Sequence, residues 1–243
     1  MQRPIARRLL LAAALMLFLG LGSGCAKMNA TGLNRDGSVA FQQGRYQSAV
    51  HAFQQAIATH PTNPDAYYNL ATTYHRIGTQ TKDEAMLSQA ENLYNQCLDL
   101  ESDHVACHRG LAVLLAETDR PDSAFRLLRN WAAGSPKLAD ARIELARLYQ
   151  EFGDLETAKL HLIEASNIDG TNARVWSALA HIQEASGDID QALANYQRSY
   201  QLNTFQPEIA SRISALQSNM SASMGLSTPG GTRMVQGTTT GIR

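Results

Sequence analysis

The chain predicts an all-α fold, an α-solenoid of about five helix-turn-helix repeats closed by a C-terminal capping helix. Three observations predict it. Alanine recurs at Ala49, Ala90, Ala124, Ala158 and Ala192, at steps of 41, 34, 34 and 34 residues. Each is followed four places later by a large apolar residue, Phe53, Tyr94, Leu128, Leu162 and Tyr196, a spacing that puts both on one helix face a turn apart. No strand-type alternation persists long enough to suggest a sheet. A period of about 34 residues is that of a supersecondary unit that cannot bury its apolar face alone and stacks on copies of itself.

The first helix of each unit carries a small residue, Gly37, Ala71, Ala112, Ala146 and Ala180, preceded in four units by Leu70, Leu111, Leu145 and Leu179. Small columns of this kind let two helices approach to about 8 to 10 Å. Seven places on comes a turn column of Gly44, Gly78, Asp119, Gly153 and Gly187, residues suited to the left-handed conformation that ends a helix. The second helix holds the alanine column and exits at Pro61, Ser102, Pro136, Gly170 and Thr204. The repeats therefore span about 30–63, 64–104, 105–138, 139–172 and 173–206. Pro207 opens a capping helix over 207–217, with Ile209, Ile213 and Leu216 on one face. From Ser218 to Arg243 the chain is rich in Gly, Ser, Thr and Met, which predicts a disordered tail.

Three units depart from the pattern. In the first, Asp36 replaces the leucine, and Gly32 and Gly37 weaken the first helix, each by about 1 kcal/mol relative to alanine. That helix is expected to be short or frayed. The second unit is longer by seven residues within Thr79 to Gln89, about two helical turns. Thr81 with Glu84 has the form of a capping box, so the extra length is expected in the second helix, the alternative being a longer surface loop. The third unit places Trp131 in a column otherwise held by Ala56, Cys97, Ala165 and Ser199. A side chain that large is expected to open the local packing, the alternative being an outward anchor for a partner.

These columns resemble the tetratricopeptide repeat family, through Tyr67, Leu70, Ala71, Tyr74, Gly78, Ala90, Tyr94 and Cys97 in the second unit and Trp176, Leu179, Ala180, Gly187, Ala192, Tyr196 and Ser199 in the fifth. The resemblance implies antiparallel helix pairs in a right-handed superhelix, with a concave face lined by first helices that holds a protein or peptide partner. On that face it places Tyr68, Thr72, His75, Arg76, Arg109, Arg147, Gln150, Arg174, Ser177, His181 and Glu184, a mixed set including the aromatic and guanidinium groups enriched at hot spots. Of the lysine and asparagine positions that clamp chaperone tails in this family, only Asn69 matches. Asn34, Ser38, Ala106 and Gly110 stand at the others.

The N-terminus bears on location. Arg3, Arg7 and Arg8 precede an apolar run from Leu9 to Leu21, then Gly22, Ser23, Gly24 and Cys25. About thirteen apolar residues are too few for a membrane span of about 20, so residues 1–24 are expected to be a signal peptide, followed by a short linker over 25–29. The ending resembles a bacterial lipoprotein signal, which implies lipidation of Cys25 and a membrane anchor facing the periplasm. Gly22 stands where that family usually has leucine, and cleavage after Ala26, giving a soluble periplasmic or secreted protein, is the competing reading. An uncleaved anchor is a third. The layout is similar to that of PilF and TadD type pilus or secretion assembly proteins. The alternatives are an adaptor tethering a cell-envelope enzyme, or a cytoplasmic adaptor if the N-terminus is not a signal.

Removing residues 1–24 takes three arginines from the 21 basic residues and leaves 18 against 22 acidic ones, a charge of −4. No basic stripe remains, which argues against nucleic acid. No phosphate loop, nucleophile elbow or zinc-protease helix occurs, so no catalytic residue, cofactor or small-molecule substrate is expected and the chain is read as a non-enzyme. His104, Cys107 and His108 suggest a metal site only weakly, and none is assigned. Cys97 and Cys107 are expected as two buried thiols, or as a disulfide if their Cα atoms come within about 7 Å.

Overall fold

The computed structural model describes residues 29–225, and every regular element among them is a helix. The order is α1 (29–42), α2 (Tyr46–Thr59), α3 (Pro64–Thr81), α4 (Glu84–Leu100), α5 (Val105–Glu117), α6 (Pro121–Gly134), α7 (Ala139–Glu151), α8 (Leu155–Ile168), α9 (Ala173–Ala185), α10 (Ile189–Leu202) and α11 (Pro207–Gly225). They fall into two compact units, Met1–His161 and Leu162–Arg243, with the boundary inside α8. The expected signal peptide, the linker with Cys25 up to residue 28, and the tail beyond Gly225 lie outside the described residues. None of the described helices is long and apolar enough to cross a membrane.

The alanine columns do what their spacing requires. Ala49, Ala90, Ala124, Ala158 and Ala192 have no exposed surface, and their followers Phe53, Tyr94, Leu128, Leu162 and Tyr196 are at most 1% exposed. In the first unit Ala90, Tyr94, Ala124 and Leu128 join Leu111, Leu114, Leu145 and Leu148 in a core running along α4 to α7, while Ala49 and Phe53 pack with Ala40, Val50 and Leu70. In the second, Ala180, Ala192 and Tyr196 pack with Ile209 and Leu216 of α11, so the capping helix covers the last pair.

The turns repeat one bonding scheme. Gly44, Asp119, Gly153 and Gly187 have positive φ, from 58° to 84°. In each case the next residue's N–H bonds the carbonyl five places back, for example Arg120 to Leu115 and Asp188 to Gln183 at 2.9 and 2.8 Å, which satisfies carbonyls left open at a helix end.

The second unit corrects the sequence expectation. Gly78 lies inside α3, and the left-handed residue is Lys82, with φ 57° and the Asp83 N–H bonded to the Gly78 carbonyl at 3.0 Å. Thr81 is the last residue of α3 and Asp83 is the cap of α4, accepting from the N–H groups of Ala85 and Met86. Measured from the left-handed residue, four of the seven extra residues extend α3 and three extend α4. Three and four are the spacings that return to the same helix face, so each extension keeps its apolar stripe in register. Gly78 serves close approach instead of a turn: a Cβ there would sit 2.9 Å from the Leu87 side chain.

Three further expectations change. Helix α1 is continuous over 14 described residues, neither short nor frayed. Gly37 is needed there, because a Cβ would lie 2.6 Å from the Phe53 ring. Helix α11 runs through Gly225, so residues 218–225, assigned from composition to the tail, are helical. Cys97 and Cys107 form a disulfide with Cα atoms 6.5 Å apart, linking the end of α4 to the start of α5.

Trp131 packs inward, as expected, and is not an outward anchor. It is 5% exposed, stacks on His108 with ring centroids 3.9 Å apart, and donates its indole N–H to Asp103 Oδ1 at 2.9 Å. The bulk is accommodated by a polar partner for the indole and a flat one for the ring.

Candidate functional site

Helices α3 and α5 are the first helices of consecutive repeats, and between them runs a groove of about 260 Å³. Tyr68, Thr72, His75 and Arg76 line it from α3, and Arg109, Gly110, Val113 and Glu117 from α5. These α3 positions share a face because Thr72 lies four places after Tyr68, and His75 and Arg76 three and four places after Thr72. Five residues expected from the sequence, Tyr68, Thr72, His75, Arg76 and Arg109, are thus brought together.

The floor is Tyr94, from the second helix α4. It reaches the groove because Gly110 has no side chain: a Cβ there would meet the Tyr94 ring at 2.6 Å and its hydroxyl at 2.8 Å. The Tyr94 hydroxyl bonds that of Thr72 at 3.2 Å, and burial pushes the phenol well above its usual pKa. It is therefore a neutral hydrogen-bonding group at any physiological pH. Tyr68 lies tilted against Tyr94, centroids 6.2 Å apart, and against His104 at 5.7 Å. His75 and Glu117 bridge the walls at 3.0 Å, with the Thr79 hydroxyl donating to the same carboxylate oxygen at 3.4 Å. Among the groove cations Arg76 is exposed.

Arg109 and Arg147 also have an occupation inside the chain. Both hold Glu144, a carboxylate with no exposed surface. Arg109 Nε donates at 2.8 Å and a second Arg109 nitrogen donates to the other oxygen, while Arg147 Nε donates at 3.2 Å. The Glu144 carboxylate holds the Arg109 guanidinium above its usual pKa. Both arginines are partly exposed, so each shows one edge outward while its other edge neutralises a buried acid. Gln150 stands on the same helix α7, half-buried.

The remaining expected residues lie in the second unit, on α9. The Ser177 hydroxyl donates to the Arg174 carbonyl at 3.1 Å. His181 Nδ1 is 2.7 Å from the Tyr196 hydroxyl, which donates to Glu184 at 3.0 Å, and Arg212 Nε donates to the same Glu184 oxygen at 2.8 Å. Bonding to Arg212 holds the Glu184 carboxyl below its usual range. His181 and Glu184 therefore tie α9, α10 and α11 together. A second cavity of about 390 Å³ opens beside Ser177 and His181, rimmed by residues 205–209 with Phe205 93% exposed.

The sequence missed Tyr94, Gly110, Val113, Glu117 and Glu144. One signal for Glu144 was present. Asn69, Gly110, Glu144 and Ala178 occupy one repeat column, which at Gly110 meets the follower Tyr94, and a carboxylate buried in such a column needs cations such as Arg109 and Arg147 to neutralise it.

Family models agree with this architecture. One described as TPR repeat matches residues 37–78, and two described as Tetratricopeptide repeat match 115–182 and 173–205. The chain is 25% identical over 170 residues to the human protein O-mannosyl-transferase TMTC1, a match covering 68% of this chain and 18% of that protein. It spans between 18% and 29% of the length of the curated relatives it matches. A thermophilic TPR protein of Thermus thermophilus shares 21% identity with a TM-score of 0.58, covering 77% of this chain and 98% of that one. Pseudomonas aeruginosa pilF shares 16% with a TM-score of 0.51, covering 83% and 90%. The last two likenesses concern the fold. Models of a single repeat type account together for more than half of the chain, on the helix pairs that the alanine period marks, and the chain belongs to the tetratricopeptide repeat family.

Proposed function

We propose that this chain is a non-enzymatic scaffold that holds an extended segment of another protein in the α3–α5 groove. The observation that carries the reading is the make-up of that groove. Tyr68 offers an aromatic face, Arg76 an exposed guanidinium and Val113 an apolar wall, over a neutral tyrosine floor. Aromatic and arginine groups give the largest contributions per residue at protein interfaces. The titratable groups nearby are committed to one another, His75 to Glu117 and Arg109 to Glu144, which favours holding over turnover.

We place this scaffold at a bacterial membrane surface, exported and anchored through a lipid on Cys25, in the assembly of a pilus or secretion complex. The support is the charge and apolar layout of residues 1–25 and a fold similar to that of pilF, whose chain the match covers to 90%. Two acyl chains would anchor it where one binds only marginally.

Crosslinking in native membranes followed by capture of the full chain tests the groove. Tyr68→Ala with Val113→Arg should abolish capture of the partner, while circular dichroism stays unchanged. Undiminished capture would move the binding surface elsewhere. Membrane fractionation of Cys25→Ala tests the anchor: the variant should leave the membrane fraction, and retention there defeats lipidation.

A further inference from the structure

Behind the groove, the last turn of α4 and the first turn of α5 bring Cys97, His104 and Cys107 together, with one donor atom of each lying within 4.8 Å of the others. The two sulfurs are joined here as a disulfide. His104 is held by both ring nitrogens. Nε2 is 3.2 Å from Asp65 Oδ1, and Nδ1 accepts the Cys107 N–H at 3.1 Å. With Nε2–H pointed at the carboxylate, the lone pair stays on Nδ1, turned toward Cys107. A carboxylate behind an imidazole is the arrangement that fixes the tautomer of a metal-binding histidine.

We propose that, with the disulfide reduced, Cys97, Cys107 and His104 Nδ1 bind one Zn²⁺ ion, with Asp65 as the residue that positions the imidazole. Three features of the site suit that ion. Zn–S and Zn–N bonds of about 2.3 and 2.0 Å set donor atoms roughly 3.5 to 3.8 Å apart, inside the 4.8 Å that bounds the cluster and open to the two sulfurs once reduction breaks the bond between them. Both cysteines are fully buried and the His104 side chain is 10% exposed, and two thiolates with Zn²⁺ make a neutral group, the form that burial tolerates. The Cys107 N–H also bonds the His104 carbonyl at 3.1 Å, so it keeps an acceptor when Nδ1 turns to the metal. Three protein ligands leave the fourth position to water.

The exchange balances. A dithiol reductant gives two electrons and two protons, breaks the S–S bond and becomes a disulfide itself. Zn²⁺ then forms two Zn–S bonds and one Zn–N bond and displaces the two thiol protons. A covalent link between α4 and α5 is replaced by a coordinate one at the same place.

Cobalt substitution tests the proposal on the full chain. After anaerobic reduction and removal of reductant, Co²⁺ should give a thiolate charge-transfer band that saturates at one equivalent and disappears when Zn²⁺ is added. The oxidised chain and Cys97→Ser should give no such band. His104→Ala and Asp65→Asn should each weaken Zn²⁺ binding at least about 10-fold, and Asp65, exposed on α3, is replaced without disturbing the core. No band in the reduced chain overturns the site. So does wild-type affinity in both the His104 and Asp65 variants, which would mean a bare dithiol. Should reduction lower the helical signal, Zn²⁺ must restore it, and failure to do so counts equally against the proposal.

Discussion

The guanidinium of Arg109, whose side chain is 43% exposed beside the groove, is bonded through two nitrogens to Glu144, a carboxylate with no exposed surface. One residue therefore lines the groove and neutralises a buried charge in the next repeat. Removing it takes from a buried acid the partner that bonds both of its oxygens, while Arg147 stays. Arg109→Ala is expected to destabilise the chain by about 2 to 3 kcal/mol, below the full cost of stranding a buried charge because Arg147 remains. Glu144→Gln in the same background should recover part of the loss in urea unfolding. No recovery would mean that Arg109 acts through packing.

Gly110 and Gly32 predict opposite signs for the same substitution. Gly110→Ala drives a Cβ into the buried Tyr94 ring and should cost about 1 to 3 kcal/mol. It should also weaken partner capture, because Tyr94 must leave the groove floor. Gly32 lies in α1 with nothing within 4 Å of a Cβ, and Gly32→Ala should stabilise by up to about 1 kcal/mol. Thermal unfolding of the two variants side by side checks both.

Lys82 and Asp119 hold φ of 57° and 58°, a region costly for residues with a Cβ. Glycine at either place should raise stability by about 0.5 to 1 kcal/mol. Gly78→Ala, in the column where the turn glycine was expected, should instead lower it, since a Cβ there meets Leu87. A higher Tm for Gly78→Ala would contradict the close approach of α3 and α4.

Cys97 and Cys107 are ten residues apart. Closing a loop of that size stabilises by roughly 2 to 3 kcal/mol through the unfolded chain. Reduction without added metal should lower the urea midpoint by the corresponding amount, and Cys97→Ala with Cys107→Ala should match it.

His108 stacks on Trp131, bonds the Ser102 carbonyl through Nε2 at 2.9 Å, and keeps Nδ1 buried with no partner. Burial holds its pKa below the ordinary histidine value, as it does for His181. As pH falls, the unfolded chain takes up these protons first, near 6.5 by the ordinary value. Stability is therefore full above that pH and declines as pH falls through it and below. His108→Phe keeps a ring against Trp131 and should flatten the decline of Tm between neutral pH and about pH 5.5. An unchanged slope would assign the dependence to other groups. The lowered carboxyls of Asp103 and Glu184 act in a separate, more acidic window.

The parts of the fold that repeat were legible, because every unit must bury the same face. Ala90 with Tyr94 and Ala192 with Tyr196 mark the helices without any other information. What depends on one partner in space was not. Lys82 has no signature of a left-handed residue, so the turn was expected at Gly78. The disulfide rests on how tightly the chain turns between Cys97 and Cys107. Residues 218–225 lack Gly or Pro until Gly225, and composition alone hid their helical continuation from Pro207. In the groove, Tyr68, Thr72, His75 and Arg76 were legible as one face of α3. The commitment of Arg109 to Glu144 was not, because it joins two repeats across 35 residues of sequence, and the i,i+3 pair of Arg147 with Glu144 on α7 gains its weight only from the burial of that carboxylate.

The seven additional residues of the second repeat divide into four before Lys82 and three after it. Restoring the common length of 34 therefore takes two cuts, one in each leg of the hairpin. Removing seven contiguous residues from α4 would leave α3 without a partner along its last turn, and removing them from α3 would do the same to α4. The pair is a module that can be shortened only from both legs together, and its tip, beside a cavity of about 660 Å³, adjoins the α3–α5 groove through Thr79 and Glu117, which line both.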